Sequence, residues 1–406
     1  MDPLKFEIQE ETRAGTTIKV IGVGGGGCNA AGRMYRDGMP GVEFYAINSD
    51  RQALQESPIP NKLLIGQKIT GGLGAGSDPN VGRDAALEDT ERIIEILDGA
   101  DMVFVAAGMG GGTGTGAAPV VASLAKELNA LTVAIVTKPF LFEGSRRMKM
   151  AEKGLSDLSA TVDTLIPIPN ERLTTLAPKG TTLLDSFRLA DDVLRQAVSG
   201  INDIMNTPGL INRDFSDIRA IMQGMGYAMM GSATAKGENA AVDAAKKAIH
   251  CPMLDGGDLR GARAILINIT SSSGISLHDV NEACMLIRAA TSNDDLQVNF
   301  GIVMNESMGD EVKVSVIATG FQPEVKKEAP PSRVGFFSTP QPVFREQEFS
   351  PRIDMALDPE PAPEHNIQPE PQPAHAMAVL ASANSSHEES TEDMEVPAFL
   401  RRRRTF

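Results

Sequence analysis

Seven consecutive residues, Gly110, Gly111, Gly112, Thr113, Gly114, Thr115 and Gly116, could bind an anion largely through their backbone. Glycine lets successive N–H groups turn inward and come close to phosphate oxygens, and the two threonine hydroxyls can donate to the same oxygens. The run lies between an apolar stretch at 102–107, short enough for one buried strand, and an alanine-rich stretch at 117–128 with helical spacing. Pro119 stands where an opening helical turn tolerates it, and a helix starting here adds the partial positive charge of its dipole. A flexible linker would not be wedged between a buried strand and a helix. Two further glycine runs repeat the arrangement. The strand TIKVIGV at 17–23 runs into Gly24, Gly25, Gly26, Gly27, Cys28 and Asn29 and then a helix to about Asp37. The run at 71–79, GGLGAGSDP, contains Ala75 and Gly76 and leads into a helix expected over 80–97. One such loop is common. Three in alternating strand and helix territory can converge on a single polyphosphate at the carboxyl ends of parallel strands.

Other residues could act on the rest of a nucleotide. Glu143 and Arg147, four apart, read either as a surface ion pair or as a ribose contact and a phosphate contact. Asp191 and Asp192 lie mid-helix; a carboxylate there could be solvated, or could accept the N1–H and 2-amino hydrogens of guanine, which adenine lacks. Asn212, Asp214 and Asp217 form an N-x-D-x-x-D cluster where a loop turns into a helix, and on spacing alone these aspartates read as a helix cap. Gly22, Gly24 and Gly27 satisfy G-x-G-x-x-G, with Asp50 after the next strand, so an NAD-dependent oxidoreductase of Rossmann type is the rival reading. It leaves the other two glycine loops unexplained. No glycine run continues into Gly-Lys-Ser/Thr, so no Walker lysine is present.

The elements that must position these residues alternate. Strands are expected at 17–23, 42–47, 102–107, 131–137 and 162–167, followed by a long helix over 181–206 whose length suits a connection between domains. From Gly224 the strands at 227–235, 263–270, 298–304 and 312–319, with helices at 238–249 and 277–290, carry no further phosphate loop. The expected fold is α/β: a Rossmann-like nucleotide domain with a parallel sheet, the long central helix, and a second, smaller α/β domain, followed by a disordered tail. The corresponding boundaries are a flexible arm at 1–15, the nucleotide domain at 16–180, central helix and catalytic loop at 181–225, the second domain at 226–320, an acidic linker at 321–392 and a tail peptide at 393–406. Thirteen of the 25 prolines fall between Pro323 and Pro397, and 321–395 carries 5 Lys and Arg against 14 Asp and Glu, a composition that cannot bury enough apolar surface to fold. The tail then changes character: Val396, Pro397, Ala398, Phe399 and Leu400 precede Arg401–Arg404, an apolar patch beside a basic run that reads as a docking peptide.

With 406 residues and 42% hydrophobic content, the chain has room for a sizeable core in two or three domains. No apolar run reaches the ~18 residues of a membrane span, and no signal-peptide core is expected at the N-terminus. Cys28, Cys251 and Cys284 are too widely spaced for a disulfide framework or a zinc pattern, which suits a reducing cytoplasm. A net charge of −15 argues against nonspecific binding of nucleic acid.

Together, GVGGGGCNA, AINSD, GGLGAGSDPNVGRDA, GGGTGTG, PFLFEGSRRM, DSFRLADDVL, GLINRDFSDIRAIM and VPAFLRRR resemble the tubulin/FtsZ family, in its bacterial cell-division branch. The resemblance covers about 16–320 and the tail peptide, the linker being recognisable only by composition. It implies GTP and GDP as ligands, with Mg²⁺, and hydrolysis of GTP by a protein that assembles head to tail into filaments at the division site. It further implies that Gly25–Gly27 and Gly110–Gly116 hold phosphates, that Ala75 and Gly76 approach the γ-phosphate, that Glu143 contacts ribose and Arg147 the phosphates, and that Asn29, Phe187 and Asp191 hold guanine. Asn212, Asp214 and Asp217 become catalytic residues offered to the neighbouring subunit's nucleotide, which reverses the cap reading. The tail at 393–404 becomes the attachment point for membrane-anchoring and regulatory division proteins. A scaffold that binds GTP without hydrolysing it is the remaining alternative. Three residues depart from commoner choices of the family: Cys28, which would set a thiol beside the nucleotide, Asp192 beside the base, and Arg213 between two catalytic positions.

Overall fold

The computed structural model describes residues 15–176, 180–207, 209–211, 213–254, 259–291, 293 and 295–321. Asn212, the linker beyond Phe321, the tail peptide and the N-terminal arm up to residue 14 lie outside the described residues.

Six parallel strands form the first half of the sheet: β1 (Ile18–Val23), β2 (Val42–Asn48), β3 (Asn61–Leu64), β4 (Met102–Gly108), β5 (Leu131–Lys138) and β6 (Thr164–Pro169), in the order β3-β2-β1-β4-β5-β6. β1 and β4 are buried along almost their whole length, as parallel strands covered on both faces must be. The connecting helices are α1 (Gly24–Asp37), α2 (Arg51–Glu56), α3 (Gln67–Thr70), α4 (Pro79–Glu88), α5 (Thr90–Leu97), α6 (Thr113–Glu127), α7 (Ser145–Ser159) and α8 (Asn170–Leu176). The 24-residue α9 (Leu183–Asn206) follows, started by Thr182, whose hydroxyl accepts the amide of Asp185.

The sheet then continues. β7 (Gly209–Ile211), α10 (Phe215–Met222), β8 (Gly226–Lys236), α11 (Ala240–Ile249), β9 (Ala264–Ser271), α12 (Leu277–Ala289), β10 (Gln297–Met304) and β11 (Glu311–Phe321) extend it in the order β8-β11-β9-β10-β7, giving eleven strands. β11 is antiparallel to both β8 and β9. The two halves join where β6 pairs with β8 through only Thr164–Gly226 and Leu165–Tyr227. One apolar cluster crosses this junction: Ile166 and Ile168 from β6, Leu194 and Ile201 from α9, Ala228 and Met230 from β8, and Ile317 from β11 are all buried in it.

The single helix expected over 80–97 is two. It breaks at Asp89, whose backbone leaves the helical region at φ −110° and ψ 27°, while its carboxylate accepts the Gly66 amide and pairs with Arg92. The glycine runs also differ from loops. α1 starts at Gly24 and α6 at Thr113, so much of each run is the first turn of a helix. An added Cβ at Gly27 would lie 2.1 Å from the carbonyl oxygen of Ala106, and one at Gly116 would lie 1.9 Å from that of Pro79. At these two positions glycine allows helix and neighbouring backbone to touch.

Candidate functional site

A cavity of about 400 Å³ opens at the carboxyl ends of β1, β4 and β5, where the starts of α1 and α6 meet. Helix N-termini present unpaired N–H groups and partial positive charge, so two of them converging make an anion site from backbone. Gly25, Gly26 and Asn29 line it from α1; Gly111, Gly112, Thr113 and Gly114 line it from the start of α6. Ala75 and Gly76 reach it from the third glycine run, Glu143 and Arg147 from the turn before α7 and from α7 itself, and Phe187 and Asp191 from α9. Three glycine runs separate in sequence thus face one space.

Six expected residues do not line it. Gly27 is packed on β4, and Gly116 on the start of α4. Gly110, at φ +90°, turns the chain, and its amide donates to the Thr115 hydroxyl at 2.8 Å, so that hydroxyl braces the loop. Cys28 points into the core: its thiol donates to the carbonyls of Gly22 and Ile47, and burial pushes it up to about 12. The expectation of a thiol beside the nucleotide is therefore corrected; a helix residue next to Gly27, which packs on β4, shares the buried side of α1. Asp192 is likewise turned away, binding Arg195 and Gln196 along α9.

The polar groups of the cavity are already oriented. Glu143 bonds Arg147 at 2.7 Å and accepts the Phe140 amide at 2.9 Å, so these two residues are an ion pair and cavity-lining at once. Thr113 shares a 2.6 Å hydrogen bond with buried Ser49. Asp191 has its carboxyl raised to about 7, chiefly by burial, with Arg33 at 3.5 Å acting in the opposite sense. Phe187 meets Phe140 edge to face.

Sequence reasoning missed Asn48, Thr137 and Asn170, which also line the cavity. Asn48 was legible as the end of a strand carrying AINSD. Asn170, just after β6, is 5% exposed, and among the described residues its Oδ1 has no hydrogen-bond partner, which leaves an acceptor that a ligand in the cavity could satisfy. Asp50, the acid of the rival reading, also lines the cavity, yet its Oδ1 accepts the amides of Gln52 and Ala53 as the cap of α2.

Asp214 and Asp217 lie elsewhere, at the start of α10 beyond the far end of α9. From Asp191 to the end of α9 at Asn206 the helix alone advances about 22 Å. Asp214 does cap α10, its Oδ1 accepting the Asp217 amide at 2.9 Å. Among the described residues no helix is long and apolar enough to cross a membrane.

Comparison with known proteins gives the family. The family model described as the GTPase domain of the tubulin/FtsZ family matches residues 17–178, and that of the FtsZ C-terminal domain matches 226–322. The cell division protein FtsZ of Pseudomonas putida is 44% identical over 405 residues, covering 98% of this chain and 99% of that protein. An empty FtsZ dimer from M. jannaschii superposes with a TM-score of 0.72 at 39% identity, over 76% of this chain and 89% of that one. CetZ2 from Haloferax volcanii, solved as a GTPγS-bound protofilament, shares the fold with a TM-score of 0.66 at 22% identity, over 76% of this chain and 94% of its own. The chain belongs to the FtsZ family of cell-division proteins, tubulin-like GTPases whose domain binds GTP and GDP.

Proposed function

We propose that this GTPase works as a head-to-tail filament, each nucleotide being hydrolysed at a site completed by the next subunit. The observation that carries the reading is the separation of the two halves of the machinery: the cavity lies near the start of α9, while Asp214 and Asp217 lie beyond its end. One chain cannot bring them together; a second copy stacked end to end can. The FtsZ relative from M. jannaschii was solved as a dimer, which is consistent with such stacking.

In this scheme Gly25–Gly27 and Gly110–Gly116 surround the phosphates, with Gly27, Gly110, Thr115 and Gly116 acting through backbone placement, and Ala75 and Gly76 approach the γ-phosphate. Glu143 contacts ribose and Arg147 leans toward the phosphates. Asn29, Phe187 and Asp191 hold guanine, and the unpartnered amide oxygen of Asn170 adds a further polar contact. An ionised Asp191 accepts the N1–H and 2-amino hydrogens of guanine; adenine lacks both and would leave that buried carboxylate with Arg33 alone, which is costly. Asn212, Asp214 and Asp217 of the next subunit orient and polarise the attacking water. Backbone dipoles at the starts of α1 and α6 stabilise the charge that develops on the transferred group, the more so because no Walker lysine exists.

Mg²⁺ fits this donor set as an ion that accompanies the nucleotide. Among the described residues no group of three or more His, Cys, Asp or Glu could hold a metal alone, and Mg²⁺ is commonly bound through phosphates and water with few protein ligands. Bound with the nucleotide, it would supply positive charge that offsets the negative charge of the phosphates. The filament's place is the division ring on the cytoplasmic face of the membrane, reached through membrane-anchoring and regulatory proteins that take the tail at 393–404.

The test is phosphate release from GTP across protein concentrations, with light scattering read in parallel. Activity per subunit that rises from near zero at the threshold where scattering appears is the expected result. Activity per subunit that is flat with dilution would mean that one chain suffices.

A further inference from the structure

We infer that Arg213 is a positioning residue: it fixes the carboxylate of Asp217 for work in the neighbouring subunit's nucleotide site. The inference rests on the shared-site reading above. Arg213 is held from three directions. Its Nε donates to the backbone carbonyl of Phe300 on β10 at 3.2 Å, its guanidinium lies over the Phe300 ring at 5.7 Å from the centroid, and its Nη1 donates to Asp217 Oδ2 at 3.4 Å. The preceding residue on β10 is used too, since the Asn299 side-chain amide donates to the main-chain carbonyl of Asp217 at 3.5 Å. β10 therefore grips Asp217 twice, once at its backbone and once through Arg213 at its carboxylate.

The two acidic residues of this turn are treated differently. Asp214 is held locally, its Oδ1 accepting the Asp217 amide and the Ser216 hydroxyl, each at 2.9 Å. Asp217 is the one whose carboxylate is tied to another element of the fold. An i,i+4 ion pair on a helix surface is ordinarily worth little, because both long side chains must be ordered to form it. Here the guanidinium is already ordered by the carbonyl and ring of Phe300, and its planar fork offers Asp217 one geometry instead of a spread of rotamers. Placement matters because misplacing a reacting group by about 1 Å can cost about 10²-fold in rate. Arg213 also offsets one of the two negative charges that this turn would bring up to an anionic triphosphate.

The experiment uses the full chain and measures phosphate release per sedimented subunit at saturating GTP, alongside GTP affinity. Asp217→Asn comes first. If it leaves turnover per assembled subunit unchanged, the shared-site reading itself fails. Given the loss, Arg213→Gln is expected to lower turnover about 10-fold at unchanged GTP affinity, since the carboxylate is freed but still present. Arg213→Lys, which keeps the charge but cannot hold carbonyl and carboxylate in one plane, is expected below wild type, and it replaces Arg213→Gln if that variant does not assemble. The double variant Arg213→Gln/Asp217→Asn is expected to be no slower than Asp217→Asn alone, because Arg213 acts through Asp217. Losses that multiply in the double variant, turnover at or above wild type in Arg213→Gln, or wild-type turnover in Arg213→Lys would each overturn the inference.

Discussion

Glycine serves different ends in the two halves of the sheet. In the first half, a Cβ at Gly27, Gly82, Gly114 or Gly116 would come within 1.9–2.6 Å of a main-chain oxygen of a neighbouring segment. In the second, Gly224, Gly237, Gly261, Gly274 and Gly309 have nothing within 4 Å; Gly231, 2.2 Å from the Ala248 carbonyl, is an exception. The first set brings two helix starts and a third loop into backbone contact, so that their amides face one cavity. The second set mostly turns corners. Both halves contain strands followed by helices, yet the cavity ringed by glycine runs is lined from the half whose strands are all parallel and from α9.

The comparison is broken most severely at Gly116. Gly116→Ala sets a methyl group 1.9 Å from the Pro79 oxygen and 2.6 Å from the Arg83 amide, so α4 and α6 must separate. The expected outcome is a loss of about 3 kcal/mol in denaturant unfolding together with weakened GTP binding. Next comes Asp217, which lies in the second half and outside the cavity. Asp217→Ala should reduce turnover in assembled protein about 10²-fold or more while GTP still binds; equal loss of binding and turnover would return the whole site to the first half.

A smaller effect concerns pH. The carboxyl of Asp191 is raised to about 7 in the free protein, and in the proposed reading guanine needs it ionised. Proton and nucleotide therefore compete: GTP affinity should be constant above that pH and fall by up to about tenfold per pH unit below it. Isothermal titration between pH 5.5 and 8.5 reads this directly, and a flat profile would remove Asp191 from guanine recognition. The smallest effect is expected at Gly274, in open space and without a positive φ, where Gly274→Ala should change stability by no more than about 0.5 kcal/mol.

Much of the site was legible because backbone chemistry writes itself into composition. Three glycine runs, each before a helix, are better read as converging on one ligand than one by one, and they do face one cavity. Their individual members were not separable. Whether a glycine contacts a ligand or packs on a neighbouring strand depends on which side of the helix it occupies once the helix has docked, and Gly26 and Gly27 are adjacent yet face different ways. The same limit hid the direction of Cys28. The break at Asp89 depends on Gly66, 23 residues away, so no local pattern could show it. The short strands β3 and β7 carry too few residues for alternation to register. Asn170 was passed over because a single asparagine after a strand is common, and only its burial without a partner distinguishes it.

The junction of β6 with β8 has a mechanical consequence. Two residue pairs tie these strands, against six between β5 and β6 and ten between β8 and β11. The Gly226 amide donates to Asp163 and the Thr164 hydroxyl to Met222, so the tie is clustered at one end of each strand. Around that tie lie apolar packing about α9 and a few side-chain bonds, from Arg172 to the carbonyls of Pro252 and Leu254 and from Arg219 to that of Asn129, but no strand ladder. The sheet is thus an elastic plate with a score line across it. Under load its softest response is to flex there, leaving the parallel half and the mostly antiparallel half each rigid in itself.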